Sequence, residues 1–152
     1  MATNGAKLRA RRTTMGLTQS AASKLARISQ SNWSAHESDT RPLTDPMLAR
    51  LSSSIGFRPS IAATVHRDRI REICAAHGAC EPRLFGSVAK GKDTVESDLD
   101  ILVAASPGMT MFDIVALEEE LEALFGVPVD VVTEGAVRRG GSSWSNLDAV
   151  AV

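Results

Sequence analysis

Cysteine is scarce. Only Cys74 and Cys80 occur in 152 residues, with no second pair to complete a zinc site or a disulfide framework. Both are expected to be reduced thiols that serve packing. Long apolar runs are missing as well. The opening MATNGAKLRARR lacks the apolar stretch of a signal peptide, and nowhere do about 18 apolar residues follow one another as a membrane span requires. The expectation is a cytoplasmic chain with no membrane partner. Internal repeats and long low-complexity tracts are absent too.

Each half is short of one sign of charge. Residues 1–60 hold nine Lys and Arg against three Asp and Glu, whereas residues 61–152 hold eight against fifteen. The net charge of −1 therefore conceals a basic segment joined to an acidic one. A basic segment suits the phosphate backbone of nucleic acid, where Lys and Arg displace counterions. The acidic segment needs another explanation, such as metal binding.

From Lys7 to Ile55 the pattern is helical throughout, cut by polar turn residues. The spacing predicts a helix from about Ala6 to Met15 ending at Gly16, a second capped by Thr18, and a third over Gln30–Glu37 capped by Ser29. A fourth carries Met47, Leu48, Leu51 and Ile55 on one side. Trp33 reads as a core anchor and His36 as a packing residue. Phe57-Arg58-Pro59-Ser60 ends this unit, which sets a domain boundary at residue 60.

Beyond it the order reads helix, strand, strand, helix, strand. One helix over about Ile61–His77 brings Val65, Ile70, Ile73 and Cys74 to one side and stops at Gly78. Short strands follow at Arg83–Phe85, Leu99–Val103 and Val129–Val132. Between the last two, Thr110 and Asp113 resemble a capping box. That helix places Ile114, Leu117, Leu121, Leu124 and Phe125 opposite a solvated face of Glu118, Glu119, Glu120 and Glu122. Gly140-Gly141-Ser-Ser-Trp-Ser reads as a mobile segment. The fold class is α+β: an all-α domain over 1–60, then a small α/β domain with a mixed sheet over 61–152.

The chemistry concentrates in Ser97-Asp-Leu-Asp-Ile-Leu-Val103. Residues two apart on a strand share a face at about 7 Å, so Asp98 and Asp100 would present two carboxylates together while Leu99, Ile101 and Val103 face the core. Two aspartates on the wet side of an edge strand would give the same alternation. What separates the readings is Asp130, a charge inside another apolar strand, where an acid is unusual unless paired or bound to metal. An all-oxygen donor set selects a hard cation such as Mg²⁺.

Upstream, Gly86-Ser87 follows a strand. A glycine there lets backbone N–H groups approach phosphate oxygens, with the Ser87 hydroxyl as a further donor. Gly86-Ser-Val-Ala-Lys-Gly91-Lys92 imitates a phosphate-binding P-loop. Asp93, however, stands where Ser or Thr should hold Mg²⁺, and no long helix follows.

Gly86-Ser87, ten further residues and then Asp98-Leu-Asp100, with a strand before and Asp130 beyond, resembles the minimal nucleotidyltransferases of the polymerase-β-like superfamily. The likeness runs over about Val65 to Thr133. It implies that Asp98, Asp100 and Asp130 are catalytic and hold two Mg²⁺ ions, and that Gly86, Ser87 and Lys90 bind the nucleotide. It further implies an antitoxin enzyme that moves AMP from ATP to a hydroxyl, a tyrosine in such systems, of a HEPN-type ribonuclease toxin. Leu8, Arg12, Gly16-Leu-Thr-Gln19, Ile28-Ser29, Trp33-Ser34, Glu37, Pro42 and Leu48 resemble the landmarks of a Cro/XRE-type helix-turn-helix. That second likeness implies operator DNA as a partner, autoregulation and a possible homodimer. Gln19 and Arg41 would meet the DNA backbone, and Gln30, Ser31 and Asn32 the major groove. Two alternatives share these residues: a regulator whose C-terminal unit only senses nucleotide or docks a partner, and an antibiotic-modifying nucleotidyltransferase.

Overall fold

Short polar side chains divide the first half into helices. In the computed structural model, which describes residues 2–141 and 147–152, Thr3, Thr18, Ser29 and Thr44 each accept a hydrogen bond from the backbone N–H three residues on. They open α1 (Asn4–Thr14), α2 (Gln19–Ala26), α3 (Gln30–Glu37) and α4 (Asp45–Ser54). Gly16 turns left-handed after α1, at φ +68°. Leu8, Ala22, Trp33, Leu48 and Leu51 are buried between these helices.

An acid sits in that apolar interior. The Glu37 carboxylate accepts hydrogen bonds from Trp33 Nε1 at 2.6 Å, Arg12 Nε at 2.5 Å and Gln19 Nε2 at 2.8 Å. Burial works to raise its pKa. The donors from Arg12, Gln19 and Trp33 outweigh burial and hold it below the usual carboxylate range.

The single helix expected over Ile61–His77 is two, α5 (Pro59–Val65) and α6 (Arg67–Ala76). Pro59 starts a helix instead of ending one, because the first turn does not need its missing N–H. The break falls at His66, whose Nε2 donates to the Thr14 carbonyl at 2.9 Å. It swings Val65 out to 66% exposure, away from buried Ile70, Ile73 and Cys74.

The second half adds β1 (Ala79–Phe85), α7 (Gly86–Ala89), β2 (Leu99–Ala105), α8 (Met111–Phe125), β3 (Val129–Thr133), α9 (Glu134–Arg139) and β4 (Val150–Ala151). The mixed sheet runs β3-β2-β1-β4, with β2 and β3 parallel and β1 antiparallel to both its neighbours. The crossover that parallel pairing demands is α8. It opens on a reciprocal Thr110–Asp113 capping box and closes at left-handed Gly126.

Two glutamates depart from the expected solvated face of α8. Glu122 and Glu118 turn back to accept the backbone N–H groups of Val129 and Val131, at 3.1 and 2.9 Å. Those donors lie on the outer edge of an edge strand, so the carboxylates satisfy groups that would otherwise invite another strand. The mobile segment expected beyond Gly141 falls on residues 142–145, outside the described residues.

One buried cluster runs through both halves. Arg11 of α1 is buried and donates from Nε to the Gly126 carbonyl at 2.9 Å and from Nη1 to Ser52 Oγ at 3.1 Å. Its guanidinium also lies 5.2 Å from the centre of the Phe57 ring. Burial pulls its pKa down to about 10, against the opposing charge of Glu96. A Cβ on Gly126 would collide with the Lys7 carbonyl, so α1 rests directly on the end of α8. Cys74 packs as expected, its thiol pushed up to about 11 by burial, whereas Cys80 is exposed. Among the described residues no helix is long and apolar enough to cross a membrane.

Replacing Glu37 by Ala strands the buried Trp33 indole and the largely buried Arg12 guanidinium. Urea denaturation is expected to show a loss of about 3–5 kcal/mol at neutral pH. Because the folded pKa is depressed, the contribution of Glu37 is present above the ordinary carboxylate pKa and is lost as pH falls through the folded value. The difference from wild type should therefore shrink in strong acid.

Candidate active site

Parallel pairing of β2 with β3 sets Asp100 directly beside Asp130. Neighbouring strands lie about 4.8 Å apart, so two carboxylates stand side by side on one face. The other face carries Leu99, Ile101, Val103, Val129 and Val131 into the core. On its other flank Asp100 pairs with Phe85, the last residue of β1, and the chain then turns at Gly86 with φ +67°. A Cβ on Gly86 would strike Oδ2 of Asp100. Glycine is thus required twice here, by the backbone conformation and by the carboxylate above it.

Asp98 stands one residue before β2, not within the strand. Pairing runs out there, since Leu99 already takes its partner from Val129 and the Pro128 carbonyl. Asp98 instead follows directly after the turn in which Thr94 N–H donates to Ser97 Oγ at 2.8 Å.

Electrostatics join the three acids. Asp100 is half-buried, and its pKa is raised first by that burial, then by the charges of Asp130 and Asp98. Among the described residues none of the three has an ion-pair or side-chain hydrogen-bond partner. Exposed Asp98 and Asp130 flank Asp100 with side chains free to turn. Among the described residues no three His, Cys, Asp or Glu side chains are already gathered as a metal cluster. The site is a set of like charges that the backbone holds near one another without an internal counter-charge.

Gly86 and Ser87 open α7 beside these acids, and Lys90 ends it, exposed. The loop that returns to Asp98 is held by a residue whose role was not legible beforehand. Asp93, only 4% exposed, accepts from Arg58 Nη2 and from the Ser60 backbone N–H, each at 2.8 Å. Arg58 also donates to the Gly91 and Asp93 carbonyls, at 2.9 and 3.2 Å. The acid that spoils the P-loop pattern is the clasp between the site loop and the start of α5. Its partners lie 33 and 35 residues away in the chain, and no local pattern announces them.

In the helical half, Gln30 and Ser31 are exposed at the start of α3, and Arg41 Nη1 donates to Asn32 Oδ1 at 2.9 Å. These four expected nucleic-acid contacts share one end of α3 and the loop after it. Gln19 is elsewhere, its amide turned inward to Glu37.

Residues 67–150 match the profile of the family described as nucleotidyltransferase domain. Over 77 residues the chain is 36% identical to the protein adenylyltransferase MntA of Thermococcus cleftensis, spanning 51% of this chain and 75% of that protein. Over 69 residues it is 38% identical to a Methanocaldococcus jannaschii protein assigned as a protein adenylyltransferase, spanning 45% and 74%. A solved structure assigned as a minimal nucleotidyltransferase aligns with a TM-score of 0.50 and 38% identity, covering 61% of this chain and 93% of the other.

The raised pKa of Asp100 fixes the sign of a stability test. Its contribution to stability is full below the ordinary carboxylate pKa and is lost as pH rises through the folded value, so ionised Asp100 burdens the fold at neutral pH. Asp100→Asn is expected to raise the melting temperature at pH 7, by a few degrees at most because solvent screens a carboxylate that is only partly buried. That gain should disappear near pH 3. A lower melting temperature at pH 7 would show that Asp100 is paired.

Proposed function

The chain belongs to the nucleotidyltransferase domain family, and from that premise we propose that it moves AMP from ATP onto a hydroxyl of a partner protein while its helical half binds operator DNA. The observation that carries the transfer reading is the register pairing of Asp100 with Asp130 above Gly86, with Asp98 alongside. A protein acceptor is supported by two relatives named or assigned as protein adenylyltransferases. The resemblance drawn from the motif spacing narrows it to a HEPN-type ribonuclease toxin and its tyrosine.

Each residue then has a task. Gly86 turns the backbone so that the N–H groups opening α7 and the Ser87 hydroxyl face the phosphates, and exposed Lys90 adds a positive charge. Asp98 and Asp100, with Asp130 completing the set, would hold Mg²⁺, for which an oxygen-only donor set without an internal counter-charge is suited. Bound there, the metal supplies charge neutralisation at the phosphates and a lowered pKa for the attacking hydroxyl. Asp130, exposed on the edge strand, accepts the proton of that hydroxyl. The oxygen bonds to the α-phosphorus, the bond to the β-phosphate oxygen breaks, and pyrophosphate leaves in line.

The helical half suits DNA by charge and by exposure. Gln30 and Ser31 point to solvent at the start of α3, and Arg41 braces Asn32. Base edges would be read by Gln30, Ser31 and Asn32, and phosphates met by Arg41 and the backbone N–H of Gln19 at the first turn of α2. Two copies would serve half-sites about 34 Å apart.

Incubation with Mg²⁺, α-labelled ATP and the protein encoded beside this chain should place label on that protein. Asp98→Ala and Asp100→Ala should each cut labelling on the order of a thousandfold, since the metal contributes several kcal/mol of charge stabilisation. Undiminished partner binding with no label from wild-type protein would favour the regulator reading.

DNA binding is checked separately by titration at several salt concentrations. Gln30→Ala with Ser31→Ala should narrow the preference between operator and random DNA by about 1–3 kcal/mol. Arg41→Ala should weaken all sequences alike and lower the salt slope by about 1. An unchanged site preference in the first variant would remove α3 as the reading helix.

A further inference from the structure

Asp130 also lines a groove between α8 and α9. Its volume is about 730 Å³, and its walls include Met111 and Val115 of α8, Ala136, Arg138 and Arg139 of α9, and Asp130 itself. The α8 wall is unusual for a protein surface. Met111 is 70% exposed and Val115 48%, and Phe112, outside the groove's lining but on the same turn of α8, reaches 87%. Three large apolar side chains on one helical turn and a half leave a patch that water covers poorly.

The opposite wall is cationic. Glu134 is engaged by Arg83 and, at 4.0 Å, by Arg138, and Glu118 is spent on the Val131 N–H. Arg139 has no carboxylate partner among the described residues. A cavity with an apolar rim, an unmatched guanidinium and a catalytic-site carboxylate at its inner end suits a polypeptide more than a nucleotide. The Gly86-Ser87 turn proposed for the phosphates lies on the far side of Asp100, which leaves this flank of Asp130 to the acceptor.

We propose that this groove is where the acceptor protein docks: it takes a segment that carries an apolar side chain for Met111, Phe112 and Val115 and a carboxylate for Arg139, and it delivers the hydroxyl between them to Asp130. The inference rests on the transfer reading for the identity of the hydroxyl, but the docking itself is measured without chemistry. Continuity with Asp130 chooses the segment that carries the acceptor hydroxyl over a second copy of the chain, which contains no tyrosine.

The test uses full-length chain, the protein encoded beside it as probe, and calorimetric titration in the absence of ATP. Phe112→Ser with Val115→Ser changes side chains that are half or more exposed, so melting should stay at the wild-type value. Affinity for the probe should fall about ten- to a hundredfold, and Arg139→Glu alone should weaken it as well. In the labelling assay the same variants should raise KM with kcat kept, the signature of lost binding rather than lost chemistry. Binding that depends on Phe112 and Val115 while wild-type protein transfers no label would keep the docking surface and discard the transfer reading. Equal affinity in wild type and the double variant, or a probe that does not bind at all, overturns the proposal.

Discussion

Everything at the candidate site depends on one pairing, the parallel register that sets Asp100 of β2 against Asp130 of β3. Slipping β3 by one residue would turn Asp130 into the core and bring Val129 and Val131 out to water, and the same slip of β2 would do so with Asp100, Leu99 and Ile101. The apolar face therefore enforces the polar one. Burial of those side chains holds two like charges near each other, and the pKa of Asp100 is raised first by its own burial and then by the charges of Asp130 and Asp98. The glutamates of α8 protect the same register from the outside by closing the edge of β3.

Two further contacts tie the site to the remainder of the chain. Asp93 fastens the loop between Gly86 and Asp98 to Arg58 and Ser60, where the helical half passes into the sheet-bearing half. Arg11 reaches the end of α8 from α1, and Gly126 lets the two helices meet. The segment that links the halves is thus bonded to the loop that carries the acids, so the two activities proposed for this chain are built on one continuous core.

Much of this was legible in the residues, for identifiable reasons. Thr18, Ser29 and Thr110 cap helices through contacts three residues long, and local chemistry of that kind survives in any context. Asp100 and Asp130 stood out as acids inside apolar strands that alternate with period two, whereas Asp98 lies just outside β2. What escaped was set by distant or very short structure. Asp93 finds its partners across more than thirty residues, and Glu118 and Glu122 turn inward only because β3 is an edge. The helices α7 and α9 and the strand β4 are too short to repeat a period that could reveal them. The break at His66 depends on the Thr14 carbonyl, which a helix-period reading of Ile61–His77 cannot contain. Gln19 was drawn inward by a buried acid instead of reaching for phosphate with its side chain.

On the proposed reading, three acids with no counter-charge among the described residues form a cation site beside a glycine-serine turn. Diffraction from crystals grown with Mg²⁺ and a non-hydrolysable ATP analogue addresses it directly. The expected result is metal density bounded by Asp98, Asp100 and Asp130, with triphosphate oxygens against the N–H groups of Gly86 and Ser87. Nucleotide bound elsewhere, with the three carboxylates turned apart into solvent, would contradict it.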